Sequence, residues 1–310
     1  MRNVLLLTLF FALAYSTYSQ TSVSGGIYTN TTWAKANSPY IVTDTVVVFP
    51  GVTLTIEPGV VVRFDNSMQL EVRDGSLIAN GTAMDSITFT SNTSNTPGSW
   101  ASVWLHSTTN TDSSIYRLNY CNFRYATKGV RYGQGSARDS LFVKNSNFSF
   151  NKTGLDGGRG QSFYMDTCSF ISNVDYGLYT VSGKVNYCNF LHTQNTGLSS
   201  GNNCVIRKCS AKYNRVGIYA GAMDSIVDCY AALNATGIAV YSPAIVRNCI
   251  SDSNSVSGID VSTDCLLAGN QIKYNAIGIR ASSFSTFLTN LVTENIIEYD
   301  SIGIYLGVAN

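Results

Sequence analysis

The chain has 310 residues, of which 45% are hydrophobic and only 13% are charged, against about a quarter charged in an ordinary soluble domain. Its 20 Lys and Arg residues nearly balance its 19 Asp and Glu residues, for a net charge of +1. A dedicated nucleic-acid-binding protein needs a basic patch. The charge balance therefore argues against nucleic acid as a partner and gives no reason to expect electrostatic attachment to a membrane.

Residues 1–19 are typical of a secretory signal peptide. Arg2 supplies the positive charge, residues 4–14 form an apolar run, and Ser19 is a small residue before an expected cleavage site at Gln20. A membrane-spanning helix needs about 20 apolar residues, so a membrane anchor is the weaker interpretation. We expect a protein that is secreted or located at the cell surface, with no transmembrane segment after removal of the signal.

Residues 20–97 contain short apolar segments separated by turn signals such as Pro50-Gly51 and Asn80-Gly81, a pattern that predicts strands. We interpret them as the opening and capping turns of one domain that residues 98–310 continue. A separate small β domain with a linker is the alternative.

The rest of the chain repeats one unit. Nine Gly–aliphatic pairs recur every 20–25 residues, from Gly129-Val130 to Gly303-Ile304, and an apolar column, a cysteine-rich column and an asparagine-rich column align with them. Each unit is too small to bury its own inner face, so the units must stack on one another. The pattern predicts an all-β protein, a right-handed parallel β-helix with about 20–25 residues per turn.

Two columns predict stacked side chains. The cysteine column contains Cys168, Cys188, Cys209, Cys229 and Cys249 in five consecutive repeats. We expect buried free thiols, because neighbouring Cβ atoms at the ~4.8 Å strand spacing are farther apart than the ~3.8 Å that a disulfide prefers. Cross-turn disulfides are the alternative, and no metal site is expected.

The asparagine column contains Asn151, Asn173, Asn214, Asn234, Asn254 and Asn275. We expect these residues at a tight turn in the left-handed conformation, with each amide bonded to the asparagine of the next turn. The repeated glycine is expected at a second bend, where a Cβ would crowd the backbone.

At this point the sequence resembles a known family. Residues 270–279 (NQIKYNAIGI) are similar to the right-handed parallel β-helix repeat of the pectate-lyase-like superfamily, and residues 54–64 (LTIEPGVVVRF) are similar to the opening turns of exported bacterial β-helix proteins. The resemblance implies the fold, and it implies polysaccharide lyases or glycoside hydrolases as candidate activities. The lyases of this family use clustered Asp residues for calcium with an Arg or Lys base, and the hydrolases use Asp residues on neighbouring turns.

Catalytic groups of that kind are expected in the outward column after each Gly–aliphatic pair. That column reads Arg131, Asp156, Tyr179, Ser199, Tyr219, Ala239, Asp260, Arg280 and Tyr305. Its two carboxylates are five turns apart, roughly 24 Å at the strand spacing, whereas glycoside hydrolysis needs two within about 5–10 Å. Each lies next to an arginine with which we expect an ion pair. We therefore predict no catalytic residue and no cofactor.

The same column could bind a ligand. Tyr179, Tyr219 and Tyr305 offer aromatic rings to sugar faces, and Arg131, Asp156, Asp260 and Arg280 offer polar groups to hydroxyls; an ordinary β surface is the alternative. We expect a non-catalytic extracellular module, structural or adhesive, with extracellular polysaccharide as its partner. A lyase or hydrolase is the alternative.

Two expectations concern regions outside the regular column. Irregular loops near Asp112, Arg138-Asp139 and Asp156-Arg159 could supply a catalytic cluster. The sequence stops at Asn310 in the middle of a repeat, so we expect a truncated piece of a longer protein with further domains.

Overall fold

A computed structural model describes residues 20–108, 114–133, 139–158, 162–241, 243–283 and 291–308. The expected signal peptide lies outside the described residues, as do Asp112, Arg138 and Arg159. Nearly all regular structure in the described part is short strands, with one 3-10 turn at Lys35–Asn37, and every strand pairing is parallel. No helix in these ranges is long and apolar enough to span a membrane.

Each turn of the chain contributes one strand to each of three parallel stacks, which confirms the predicted parallel β-helix. The first stack has 12 strands. It contains Thr31–Trp33, Thr53–Ile56, Ser76–Asn80, Ile115–Asn119, Ser140–Lys144, Ser162–Asp166, Gly183–Asn186, Cys204–Arg207, Ser225–Val227, Ile245–Arg247, Leu266–Ala268 and Leu291–Thr293.

The second and third stacks begin on one long strand, Tyr40–Val48, whose two halves pair with different strands. The second stack then contains Val61–Phe64, Ile87–Ser91, Cys121–Arg124, Asn147–Ser149, Ser169–Ile171, Asn189–Leu191, Ser210–Lys212, Tyr230–Ala232, Ile250–Asp252, Gln271–Lys273 and Ile296–Glu298. The third contains Leu70–Arg73, Trp100–His106, Ala126–Tyr132, Thr153–Asp156, Tyr176–Thr180, Thr196–Ser200, Val216–Ala220, Thr236–Val240, Ser257–Val261, Ile277–Ser283 and Ile302–Val308. Thr21–Ile27 pairs along Tyr40–Val48 at the N-terminal end.

The early strands pair in register with the later repeats. Phe89 faces Phe123 in the second stack, and Trp104 faces Arg131 in the third. Alternating side chains in each strand point inward and form continuous columns. The rings of Phe89, Phe123, Phe148, Phe170 and Phe190 follow one another at 4.7–5.0 Å between centroids. The core is therefore a set of vertical columns, each shared by neighbouring turns.

The asparagine column forms a buried hydrogen-bond ladder between the second and third stacks. The Asn234 Oδ1 atom accepts from the backbone N–H of Asn214 at 2.9 Å and from its amide at 3.1 Å. The Asn234 Nδ2 atom donates to the Ala211 carbonyl at 3.0 Å and to Asn254 Oδ1 at 3.2 Å. Each asparagine thus ties the turn before it to the turn after it.

The expectation that these asparagines adopt the left-handed conformation is wrong. The residue immediately before each one does so instead, with φ of 55–58°: Phe150, Ser172, Tyr213, Leu233, Ser253 and Tyr274. The asparagine side chain must point into the coil to reach the adjacent turns, so the preceding residue makes the reversal. Left-handed backbone costs roughly 1–2 kcal/mol for a residue with a Cβ, a cost that the ladder offsets.

The repeated glycines lie inside the strands of the third stack, not at a separate bend, and none has a positive φ. A Cβ on Gly129 would lie 2.5 Å from the carbonyl oxygen of Gly154, and one on Gly154 would lie 2.5 Å from that of Gly177. The crowding expected from the sequence is therefore present, and it comes from the equivalent glycine of the next turn. That contact explains why the position is glycine in every repeat.

Thr193 interrupts the asparagine ladder and provides a test of it. Its N–H donates to Asn214 Oδ1 at 2.8 Å, but its buried hydroxyl oxygen has no hydrogen-bond partner in the described part of the chain. Thr193→Asn restores the missing step, so we expect the free energy of unfolding to rise by about 1 kcal/mol. The reverse change, Asn234→Thr, strands buried donors on Asn214 and should lower it by about 2 kcal/mol. Urea unfolding of both variants measures the difference, and equal shifts of the same sign would contradict the ladder.

Candidate functional site

The candidate site lies on the outward face of the third stack. In-register pairing aligns one residue from each of eleven turns there, a set that we call the outer column: Glu71, Trp104, Arg131, Asp156, Tyr179, Ser199, Tyr219, Ala239, Asp260, Arg280 and Tyr305. All seven residues suggested by the sequence as ligand contacts belong to it. They occupy one face in one line, so the question is which of them are close enough to act together.

Three of the seven come together around a surface hollow of about 390 Å³. Tyr219, Asp260 and Arg280 line it, with Tyr241 on the adjoining loop. The hollow exists because Ala239 lies between Tyr219 and Asp260 in the outer column, and its methyl group leaves a gap one turn deep. A larger residue at this position would fill the gap.

The aromatic rings at the hollow are arranged differently from those on the other faces. Elsewhere, outward rings in adjacent turns stack face to face, as in Phe142–Tyr164 at 8° and His192–Tyr213 at 4° between ring planes. Tyr219 and Tyr241 are tilted by 47° with centroids 6.1 Å apart. Because these two rings are not stacked, each keeps a face that a ligand can contact, and Tyr241 is 55% exposed.

The hydroxyl of Tyr219 stays protonated over the ordinary pH range. Partial burial, together with the neighbouring Tyr241 and Tyr176, raises the pKa of Tyr219. A protonated phenol both donates and accepts hydrogen bonds. The rim of the hollow therefore combines apolar ring surface with a neutral hydroxyl that can donate and accept hydrogen bonds.

The floor of the hollow contains a bidentate ion pair. Arg280 Nε donates to Asp260 Oδ1 at 3.0 Å, and Arg280 Nη2 donates to Asp260 Oδ2. The two residues are direct register partners on adjacent turns. This arrangement agrees with the ion pair expected from the sequence and fixes both planar groups side by side.

The prediction of a second ion pair, between Arg131 and Asp156, is wrong. The two residues are register partners, but Asp156 Oδ2 accepts from Lys128 Nζ at 2.5 Å. The Arg131 guanidinium instead lies over the ring of Trp104, 4.5 Å from its centroid. The indole face thus takes Arg131 as a cation–π partner, and the flexible Lys128 side chain neutralises Asp156.

The remaining predicted contacts are separate from the hollow. Tyr179 lies two turns before Tyr219, with Ser199 between them, and its ring is 5.7 Å from that of Tyr176 at a tilt of 56°. Tyr305 is the register partner of Arg280 on the last described turn. These tyrosines extend the aromatic surface along the outer column on both sides of the hollow.

A buried cluster at the N-terminal end of the outer column is not predicted from the sequence. Glu71 and His106 are both 5% exposed, with Glu71 Oε1 3.0 Å from His106 Nε2. Arg73 Nη2 donates to the same oxygen at 2.6 Å, and the His106 ring stacks on Trp104 at 4.1 Å. Desolvation by burial opposes ionisation of Glu71, but the hydrogen bonds from His106 and Arg73 outweigh it and lower its pKa. The sequence does not show that the strands of Glu71 and His106 pair in register, because these turns precede the first Gly–aliphatic pair.

The cysteine column forms a second internal ladder at the corner between the first and second stacks. All eight cysteines are buried free thiols. The Cys249 Sγ donates to the carbonyl of Arg247 at 3.3 Å and accepts from the N–H of Cys229 at 3.4 Å. Asn270 occupies the same column one turn later and accepts from the Cys249 N–H at 2.9 Å. Cysteine thus substitutes for asparagine as a weaker bridge between turns.

Comparison with known families identifies two regions. Residues 25–138 match the pectate-lyase like beta helix domain, and residues 164–310 match the periplasmic copper-binding protein (NosD) family. No curated protein matches the sequence. Together with the parallel stacks, the two regions show that the chain is a parallel β-helix repeat protein.

Two solved structures illustrate the likeness in fold. The periplasmic alginate epimerase AlgG matches with a TM-score of 0.51 and 12% identity, over 87% of this chain and 78% of that one. The pectate lyase Pel9A matches with a TM-score of 0.34 and 14% identity, over 87% of this chain and 70% of that one. At these identities the first supports the fold alone, and the second is too distant to support an argument.

The described residues do not fit a copper ion. Within the described ranges, no three or more His, Cys, Asp or Glu side chains are grouped so that they could hold a metal. The thiols of the cysteine column already bond to backbone carbonyls. Burial, and hydrogen bonding to Cys168 and Cys209, raise the pKa of the Cys188 thiol, whereas hydrogen bonds with Cys209 and Cys249 lower the pKa of Cys229. The column therefore does not supply the set of thiolates that a metal requires.

The Glu71 cluster predicts a pH dependence of stability. The folded state lowers the pKa of Glu71 below its ordinary value of 4.5. Its contribution is therefore fully present above that value and is lost as the pH falls through the lowered pKa. We expect Glu71→Gln to destabilise the protein at pH 7 and to differ progressively less from the unchanged protein in acid.

Thermal unfolding between pH 7 and pH 3 measures this difference. Glu298→Gln, at an exposed carboxylate of the second stack, is the control and should produce no such trend. A destabilisation by Glu71→Gln that stays constant with pH would contradict the assignment.

Proposed function

We propose that this chain, a parallel β-helix repeat protein, is an exported non-catalytic module that binds polysaccharide at the outer column of its third stack. The observation that carries the proposal is the hollow at Ala239, where two tilted tyrosine rings flank a fixed Asp260–Arg280 pair. Ring faces pack against the C–H faces of sugars, and a paired carboxylate and guanidinium accept from and donate to adjacent hydroxyls. The surface continues along the solenoid axis through Tyr176, Tyr179 and Tyr305.

Export is supported by two independent features. The first 19 residues carry the charge, apolar run and small residues of a signal peptide. The family that matches residues 164–310, NosD, is described as periplasmic. We therefore place the module outside the cytoplasm, either secreted or at the cell surface.

The non-catalytic role is supported by the state of the carboxylates in the outer column. The three carboxylates, Glu71, Asp156 and Asp260, are each paired with a cation. Three register steps separate Glu71 from Asp156, roughly 14 Å, and five separate Asp156 from Asp260, roughly 24 Å at the strand spacing. Both separations are too large for the paired carboxylates of a glycoside hydrolase. An elongated surface with no reacting pair fits adhesion to a polymer better than its cleavage.

A lyase acting on acidic polysaccharide is the second candidate. The observation in its favour is the cluster in which His106, held by Glu71, stacks on Trp104, while Arg131 lies over the same indole. An imidazole oriented by a carboxylate can accept a proton, and Arg131 has no carboxylate partner among the described residues. The two candidates use opposite ends of the same column and are separable by mutation.

Filling the hollow tests the binding role. Ala239→Tyr places a large ring in the gap on the outward face without touching the core, so we expect the protein to fold normally and to lose at least about tenfold in polysaccharide affinity. Ala268→Tyr is the matched control, because Ala268 is an outward, half-buried alanine of the first stack. A glycan microarray followed by titration on the best glycan gives the readout. Equal affinity of both variants would overturn the proposed site.

The lyase candidate predicts a different result. Incubation of the protein with polygalacturonate, alginate and chondroitin would release unsaturated products that absorb in the ultraviolet, and His106→Ala would abolish that signal while Ala268→Tyr would not. We expect no absorbance increase from the unchanged protein. A steady increase that depends on His106 would replace the non-catalytic proposal with the lyase.

A further inference from the structure

The hollow differs from an acid-sugar site in its charge. The residues that line it contain one cation, Arg280, and one anion, Asp260. The two are joined through two hydrogen bonds, and their side chains are 38% and 20% exposed, respectively. Residue 242 and residues 281–290 contain no Lys, Arg, Asp or Glu. Asp264, two residues after the lining Ser262, lines a separate hollow beside Met223 and Pro243. The floor of the hollow is therefore electrically neutral.

A neutral floor disfavours a uronate. The carboxylate of an acidic sugar needs an uncompensated cation to replace its hydration. At this floor it would meet the oxygens of Asp260, or it would have to displace Asp260 from Arg280 and leave that carboxylate half-buried without its partner. In neither arrangement do the new contacts offset the free energy of desolvating the sugar carboxylate.

A neutral sugar meets the opposite situation. Each Asp260 oxygen uses one lone pair on Arg280 and has another for a sugar hydroxyl. Arg280 Nη1 donates to neither of the Asp260 oxygens, so its N–H groups can donate to a hydroxyl oxygen. Adjacent hydroxyls of a pyranose both donate and accept, and the tilted rings of Tyr219 and Tyr241 can cover its C–H face. The pair thus offers complementary groups without requiring a charge.

We propose that the hollow selects a neutral polysaccharide and that Asp260 is the residue that excludes uronates, by neutralising Arg280. This inference rests on the proposed binding function and specifies its ligand class. Asp260 is a specificity-determining residue here, because its removal leaves the tyrosine walls, the Ala239 gap and the cation in place. It follows that the carboxylate-to-amide change should convert the hollow into a site for acidic sugars.

Asp260→Asn tests the inference with nearly unchanged shape. The amide cannot neutralise Arg280, so we expect affinity for neutral glycans to fall and affinity for polygalacturonate to rise, each on the order of tenfold. The new binding should weaken as NaCl is raised, because it depends on an unpaired charge. Binding of neutral glycans by the unchanged protein should be nearly independent of salt. The probes are galactan, mannan, xylan and mixed-linkage glucan as neutral polymers, with polygalacturonate and alginate as acidic ones.

Asp252→Asn is the matched control. Asp252 pairs with Lys273 on the second stack, at 4.0 Å and with the same side-chain exposures of 38% for the cation and 20% for the carboxylate. The change adds the same net charge on a different face, so it should alter neither preference. Circular dichroism and thermal unfolding of both variants establish that they are folded.

The outcomes separate the inference from the function on which it rests. Preference of the unchanged protein for polygalacturonate or alginate over every neutral polymer would overturn the neutral-ligand inference and keep the binding function. An Asp260→Asn variant with unchanged preferences, or an Asp252→Asn variant that gains polygalacturonate binding equally, would also overturn it. Absence of binding to all six polymers would overturn both.

Discussion

The stacking of equivalent positions on successive turns is the constraint on which the rest of this molecule depends. No turn buries its own interior, so every inward side chain must be compatible with a copy of itself one strand spacing away. Phenylalanine meets this condition by parallel ring stacking, asparagine by a ladder of amides, and glycine by the absence of a Cβ that would lie 2.5 Å from the next carbonyl. Residues that fail the condition, such as Thr193, leave a visible defect.

The same constraint shapes the outside of the solenoid. Aromatic rings on adjacent turns stack on one another, as Phe142 and Tyr164 do. Cations lie over the remaining ring faces: Arg117 over Phe142 and Lys184 over Tyr164. Such ladders are stable but offer a ligand only their edges. A hollow that leaves ring faces accessible arises where a small residue interrupts the ladder. Ala239 does this in the outer column, and the hollow is a direct consequence of that single position.

The fold could be predicted from sequence because stacking makes neighbouring turns chemically alike. The Gly–aliphatic pairs define the register from residue 129 onward, and that register is sufficient to place Arg280 beside Asp260. Register alone does not determine which of the neighbouring side chains form an ion pair. Arg131 neighbours Asp156 on the ladder, yet its guanidinium reaches Trp104 on the other side, while Lys128 takes the carboxylate.

Two further features lay beyond the repeat pattern. The Glu71–His106 contact joins turns that lack the glycine marker, so nothing in the spacing aligned them. The left-handed residue before each asparagine has no consistent identity, being phenylalanine, serine, tyrosine or leucine. Its conformation is imposed by the ladder that follows it and is not encoded by its own preference. Local propensity fails there because the tertiary hydrogen bonds are stronger.

Charge pairing across turns gives the outer face its character. In a parallel stack, a charged residue has a register neighbour on each adjacent turn. It is repelled by a neighbour of the same charge and attracted by one of opposite charge. Only 13% of residues are charged. The carboxylates of the outer column are paired with Arg73, Lys128 and Arg280, and Arg131 lies over an indole. What remains toward solvent is tyrosine, hydroxyl and paired charge. Such a surface matches a polymer rich in hydroxyl groups and poor in charge, and one carboxylate, Asp260, holds it in that state.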